Sequence, residues 1–451
     1  MIFFFVAVTE FFRLRQFPDP SGADGYFYLK QIQSLSEHAN FYYKDYSFAF
    51  FLPSVLNVFL RDPLLSYQIT VCFFFGAIGS IVYRLTRHLR FKRSFFWRWM
   101  SMIFISAFIL NNPLYFELNL VFLKTATAIF FYLAACDRLL MKKNKSGIVF
   151  GVLALLSHKV MIIIIPISIL LFIFQQLRNF RLVGILAGFM IAAAISGFIF
   201  YPGFSDHLNH ALLRADWEKL SLESLLQSFY GKAALLGAVS GVLALTLTWG
   251  SRAAWFYVVS GLILIAPLAI PDPLNTNSIS FRFLVMSVPF FLLTISGSVK
   301  RGGWFRATGI VLATISLIGT FEYQRKIDTW VVPWSKRIPK PEEINQVVPT
   351  DALLYAPHGV EFYLAYKTPL RPRSFIVSEQ GREVFRVAYV APYKGNGSLA
   401  ENDMTQLALL ELGPEFSVFK ESAWLLINDL YMFRPHPMNL LDVKPGFVAD
   451  Y

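Results

Sequence analysis

The chain has 451 residues, of which 55% are hydrophobic and only 16% charged; 47 are phenylalanine, and the mean hydropathy is +0.51. A soluble globular protein carries about 25% charge, so a wholly soluble protein is excluded, as is a disordered one. The formal net charge of +12 is not a nucleic-acid signal: residues 1–322 carry 27 Lys/Arg against 14 Asp/Glu, and residues 323–451 carry 14 against 15. The excess belongs to the apolar part, where basic residues mark cytoplasmic loops.

Taken along the chain, apolar runs predict membrane spans near 1–12, 66–83, 99–110, 118–136, 147–156, 160–174, 182–201, 233–249, 253–270, 281–298 and 304–321. Cys72 and Cys136 fall inside these runs and read as small packed hydrophobes. The intervening loops sort by charge. Segments 84–98, 137–146, 175–181, 251–252 and 299–306 hold 16 Lys/Arg and one acid, Asp137. The alternate set, 13–65, 111–117, 157–159, 201–232 and 271–280, holds 9 Lys/Arg and 11 acids. This asymmetry places the first set in the cytoplasm and the tail outside. It requires 147–174 to cross twice, with Ser157-His158-Lys159 as the outer turn. The expected fold is mainly α: a polytopic bundle of about 11 spans over 1–322, followed by a small extracytoplasmic α/β domain over 323–451.

The first outer loop, 13–65, is long and carries five acids beside five Lys/Arg. It contains Phe17-Pro-Asp-Pro-Ser-Gly-Ala-Asp-Gly-Tyr-Phe-Tyr28, then Tyr43-Lys-Asp-Tyr-Ser-Phe48. Residues 26–38 and 47–60 read as amphipathic helices lying along the interface. Asp19, Asp24 or Asp45 at this surface could take a proton from an acceptor hydroxyl, or together hold a divalent Mg or Mn ion through oxygen ligands. The structural alternative is that Asp19 and Asp24 are turn or helix N-cap residues.

Basic residues recur at the outer ends of spans: Lys124 inside its helix, His158 and Lys159 in the outer turn, and Arg282 at a helix start. Charge at membrane depth is costly and serves a partner or a pathway, and an anionic ligand such as a lipid phosphate fits this set. The alternative is snorkelling, or pairing with Glu117 and Asp272. Residues 206–228 read as another outer-surface helix. In the tail, 351–356 and 423–428 read as short strands, 401–412 as a helix ended by Gly413-Pro414, and 355–366 as strand, turn and helix start carrying His358 and Glu361. The sequence has no His-Glu-x-x-His, P-loop, Gly-x-Ser-x-Gly or dinucleotide fingerprint.

An N-terminal span followed by a long outer loop with Asp24-Gly-Tyr-Phe-Tyr and Asp45-Tyr-Ser-Phe resembles the GT-C class of integral-membrane glycosyltransferases. The group that includes protein O-mannosyltransferases and lipid A aminoarabinose transferases is the nearest in flavour. Leu123-Lys-Thr-Ala, Leu155-Leu-Ser-His-Lys, Phe281-Arg-Phe-Leu-Val-Met-Ser-Val-Pro289 and Asp351-Ala-Leu-Leu-Tyr-Ala-Pro-His-Gly look like recurring elements of such enzymes. Asp45-Tyr-Ser-Phe stands where that class carries Asp-Pro-Pro-Leu, so the prolines are missing. The resemblance implies a multi-pass protein of the bacterial inner membrane that takes a sugar from a polyprenyl-phosphate donor in the bilayer and passes it, with inversion, to a glycan, lipid or protein acceptor. It implies Asp24 as general base, Asp19 or Asp45 orienting the acceptor or holding a metal, and Lys159, Arg282, His158 and Lys124 on the donor phosphate. Two rival readings are a polysaccharide polymerase, which lacks so large an outer domain, and a transporter, which calls for internal pseudo-symmetry.

Overall fold

The computed structural model describes residues 1–20, 24–43, 45–86, 95–158, 160–177, 222–247, 254–270, 279–324, 334–357, 359–373, 383–389, 409–412 and 416–420. The protein is mostly helical, with a few strands. In chain order the principal helices are α1 (Ile2–Leu14), α2 (Gly25–His38), α3 (Phe51–Leu60), α4 (Pro63–Leu85), α5 (Phe95–Asn111), α6 (Pro113–Leu120), α7 (Leu123–Leu140), α8 (Asn144–Ser157), α9 (Met161–Leu177), α10 (Phe229–Thr246), α11 (Ala254–Ala269), α12 (Ile279–Arg301), α13 (Gly303–Gln324) and α14 (Val360–Lys367). The strands are β1 (Leu353–Tyr355), β2 (Val384–Tyr389), β3 (Leu410–Glu411) and β4 (Phe416–Lys420). They divide between two compact units. The first comprises Met1–Gln16, Ser47–Ala49 and Gln68–Asp328; the second comprises Phe17–Tyr46, Phe50–Tyr67 and Thr329–Tyr451. The long first loop thus belongs largely with the tail.

The first unit is a bundle of apolar helices. Among the described residues, three are long and apolar enough to cross a membrane: α4, α10 and the Ser280–Val299 stretch of α12. A fourth span results if the bent pair α5–α6 counts as one. Outward faces are apolar where a soluble protein would be polar. Ile148, Val149, Val152 and Leu156 of α8 are exposed, as are Ile310, Val311, Ile315 and Ile318 of α13. Faces of this size ask for a nonpolar surrounding. Several buried hydroxyls donate within their own helices: Thr127 to the Leu123 carbonyl, Ser260 to Phe256 and Thr294 to Phe290. Pro267 interrupts α11, and its carbonyl accepts from the Ser280 hydroxyl at 2.7 Å. Helices α10 and α11 approach at two glycines: a β-carbon on Gly241 would meet the Gly261 carbonyl oxygen at 2.9 Å, and one on Gly261 would meet that of Gly241 at 3.0 Å.

The expected separate spans at 99–110 and 118–136 are arranged differently. Asn112 ends α5 and caps α6, its side chain accepting from the Tyr115 N–H at 3.0 Å, and Pro113 opens the new helix, which bends away by 67°. The expected 118–136 helix is itself broken. The N–H groups of Val121 and Phe122 both turn back to the Glu117 carbonyl, and α7 begins only at Leu123. The expected span at 182–201 lies outside the described residues, as does residues 206–221 of the predicted surface helix; Leu222–Gln227 is helical.

The second unit is built on α2. Helix α3 packs on α2 with its polar side inward: Ser54 and Asn57 are buried, and the Asn57 amide donates to the Ser36 hydroxyl at 2.7 Å. Its outward side is Phe51, Val55, Val58 and Phe59, the last 78% exposed. That inverted amphipathicity suits a helix lying in a bilayer surface. In the tail, β1 pairs parallel with β2, and β2–β4 and β4–β3 pair antiparallel, in the order β1-β2-β4-β3. The expected helix over 401–412 is not what its last residues form. Leu410 and Glu411 are a strand that pairs with Val418 and Ser417, because the Gly413-Pro414 signal sits between β3 and β4 rather than at a helix end. Residues 401–408 and the expected strand at 423–428 lie outside the described residues.

Candidate functional site

The second unit holds the three carboxylates singled out by sequence. Asp19 is buried, 4% exposed, and both its oxygens accept hydrogen bonds: Oδ1 from the Tyr26 hydroxyl at 2.5 Å and Oδ2 from the Ser335 hydroxyl at 2.6 Å. It is neither a simple turn former nor an open carboxylate. Burial first, and the Asp19 bond next, push the Tyr26 hydroxyl above the ordinary tyrosine range, so it remains a donor. Tyr26 stacks edge-on against Tyr363 of α14 at 4.9 Å, and the Tyr363 hydroxyl donates to the Ile338 carbonyl at 3.0 Å. Burial, then the nearby Asp19 charge, raises Tyr363 to about 12.

Asp24 occupies the N-cap position of α2 and is half-buried, yet its side chain does not cap that helix. The capping alternative, in which its carboxylate would serve the helix's own N–H groups, is therefore not realised. Gly25 fixes where the helix starts. A β-carbon there would lie 2.7 Å from that of Pro20, so only glycine lets the helix begin against the Pro20 ring. Asp19 reaches Tyr26 in the first turn of the helix that Asp24 heads, so both carboxylates gather at one helix end.

Asp45 is half-buried and follows a segment pinned by Gln31. The buried Gln31 side-chain oxygen accepts from the Tyr42 and Tyr43 N–H groups at 2.8 and 3.1 Å, and its amide donates to the Tyr43 carbonyl at 3.1 Å. The Asp45 N–H in turn bonds the Tyr43 carbonyl at 2.7 Å. Phe27 stacks on Tyr43 at 5.0 Å and meets Phe362 at 5.2 Å, which closes an aromatic floor under this segment. Lys30 sits over the Tyr42 ring at 4.8 Å, and burial lowers its pKa. Glu361 is buried in the first turn of α14, and His358 lies outside the described residues. Gln31, Tyr26 and Ser335 were not singled out by sequence; a glutamine inside an amphipathic helix carries no motif, and Ser335 lies 316 positions from Asp19. Among the described residues, no three His, Cys, Asp or Glu side chains gather in a way that could hold a metal ion.

The first unit holds the basic set. Lys124 lies in the first turn of α7 and Arg282 in the first turns of α12, both half-buried. Their neighbours Phe122 and Phe281 touch, with centroids 6.4 Å apart, and Phe281 also meets Tyr230 edge-on at 4.9 Å. The starts of α7 and α12 are therefore adjacent. His158 follows α8, which folds back on α7 across the short 141–143 turn, so it returns to the same end as Lys124. The His158 Nδ1 accepts from the Val160 N–H at 3.2 Å, and the preceding Ser157 carbonyl accepts from the Ser47 hydroxyl at 2.6 Å. Lys159 lies outside the described residues. Sequence also passed over Glu10, buried within α1 and 3.6 Å from Arg13, whose guanidinium lies over the Phe116 ring at 4.4 Å. The i,i+3 spacing of Glu10 and Arg13 in an apolar helix was the available signal.

No family model, no curated protein and no solved structure matches the chain.

Proposed function

We propose that the protein is an integral-membrane glycosyltransferase of the GT-C kind. On this reading about eleven spans carry it across a bacterial inner membrane, and a small α/β domain lies on the extracytoplasmic side. A sugar moves from a polyprenyl-phosphate donor in the bilayer to a glycan, lipid or protein acceptor. Asp24 takes the acceptor hydroxyl proton as the oxygen attacks the anomeric carbon from the face opposite the phosphate. The bond from that carbon to the phosphate oxygen breaks, and polyprenyl phosphate leaves. Lys124, Arg282, His158 and Lys159 offset the growing phosphate charge. Asp45 orients the acceptor. The observation that carries this reading is that Asp19 and Asp24 both lie at the head of one helix, whose first turn is tied to Asp19 through the Tyr26 hydroxyl. The nearness of the α7 and α12 starts, with their Lys124 and Arg282, adds to it.

The test is transfer from radiolabelled polyprenyl-phosphate sugar in membranes containing the protein. Wild type should transfer, and Arg282→Gln should weaken both donor binding and turnover, because the charge it meets is larger in the transition state than in the ground state. Absence of transfer with every polyprenyl-phosphate sugar supplied would remove the reading. Orientation has its own check. An impermeant thiol reagent added to intact cells should label a cysteine placed in the tail and spare one placed at 84–98. Labelling of the 84–98 position alone would invert the topology.

A further inference from the structure

We infer that a groove among α1, α4, α7 and α8 binds one anionic glycerophospholipid of the cytoplasmic leaflet, with its phosphate on Arg138 and Arg84 and an acyl chain along the aromatic wall. The groove has a volume of about 310 Å³; Phe3, Phe73, Phe130 and Phe150 make its apolar wall, Ala77 and Ser80 its floor, and Arg84 and Arg138 its polar end. The two arginines sit in the last turns of α4 and α7. Asp137 is fully buried and pairs with Arg84, so one of the two charges is answered within the protein. Among the described residues no carboxylate pairs with Arg138. The Nε atoms of both arginines are buried, but both side chains are half-exposed, and a guanidinium edge beside an apolar slot suits a phosphate. The turn beyond α7 adds Lys142 and Lys143, and the start of α8 adds Lys145; basic clusters at the cytoplasmic ends of spans attract anionic headgroups.

The length of the groove selects the occupant. Phe73 precedes Arg84 by eleven residues and Phe130 precedes Arg138 by eight, about 16 and 12 Å of helix at 1.5 Å per residue. That matches one leaflet, half of a hydrocarbon core about 30 Å thick. A phospholipid acyl chain fills it, whereas a long polyprenyl chain does not. Arg138 lies at the opposite end of α7 from Lys124, and no groove residue has a part in the proposed reaction, so this site survives failure of that proposal.

The test uses the purified full-length chain, with lipid retention read by native mass spectrometry and thermal stability followed as phosphatidylglycerol, phosphatidylcholine or undecaprenyl phosphate is added. Phosphatidylglycerol should be retained, and should stabilise at about five- to tenfold lower concentration than phosphatidylcholine. Arg138→Gln should abolish that preference while leaving stability in phosphatidylcholine unchanged. Ser80→Leu, which fills the groove without touching charge, should lower retention of both phospholipids. Equal retention of the two phospholipids by wild type, or an unchanged preference in Arg138→Gln, overturns the site. Displacement of phosphatidylglycerol by undecaprenyl phosphate at equal concentration overturns the occupant.

Discussion

Asp24→Asn should lower sugar transfer by roughly 10²- to 10⁴-fold, the usual size of a lost general base. The asparagine keeps the shape of the side chain but cannot take the proton. Asp24 does not cap α2 through its side chain, and asparagine keeps the ability to hydrogen-bond, so the thermal midpoint should stay near that of wild type. Two measurements on the same preparation separate the cases: transfer from a radiolabelled polyprenyl-phosphate sugar, and melting in detergent. Near-wild-type transfer by Asp24→Asn, with Asp45→Asn inactive but folded, moves the base to Asp45. Wild-type transfer by both variants removes the carboxylate mechanism.

Asp19 should behave in the opposite way, with a large effect on stability. Asp19→Ala strips the acceptor from the buried Tyr26 hydroxyl, at a cost of about 1–3 kcal/mol for one orphaned buried donor. Ser335 is exposed and regains water, so it adds little. Tyr26→Phe should also destabilise, because it leaves the buried Asp19 carboxylate with only the Ser335 bond. The double variant should cost less than the two single changes together, since both remove the same bond; a coupling of about 0.5–3 kcal/mol is the range for residues in contact. Additive costs in thermal or denaturant unfolding would mean that the Asp19–Tyr26 bond does not hold the loop. The Asp19–Ser335 bond also joins the first loop to the tail, so Asp19→Ala should hasten proteolytic release of the tail.

Parts of this architecture were legible in the chain because they rest on local chemistry. The run Asp24-Gly25-Tyr26 announced a helix start, and α2 begins at Gly25. The amphipathic stretch at 47–60 became a short turn and α3, with its apolar side outward. Other features depend on groups remote in sequence and left no local trace. Nothing around Val121-Phe122 signals a break: neither residue is a glycine or proline, and the interruption comes from two N–H groups sharing the Glu117 carbonyl. The strand at Leu410-Glu411 was misread as helix because its pattern is short and its partner, β4, lies on the far side of Gly413-Pro414.

The sequence by itself determined that the chain carries helices long and apolar enough to cross a bilayer. Its apolar content and the clustering of its basic residues in one set of loops are sums over many residues, and no single contact can alter them. Only the tertiary structure decided that Asp19 is a buried carboxylate. Asp19 and Asp24 are five positions apart and alike in chemistry, and each was open to turn or cap duty. Folding brings Tyr26 and Ser335 to Asp19, one from the next helix turn and one from 316 positions away. The same holds for Arg84, which meets the buried Asp137, 53 positions away, only in the folded chain. A side chain's availability depends on which partners burial brings to it, and those partners are set by chain segments that share no local pattern with it.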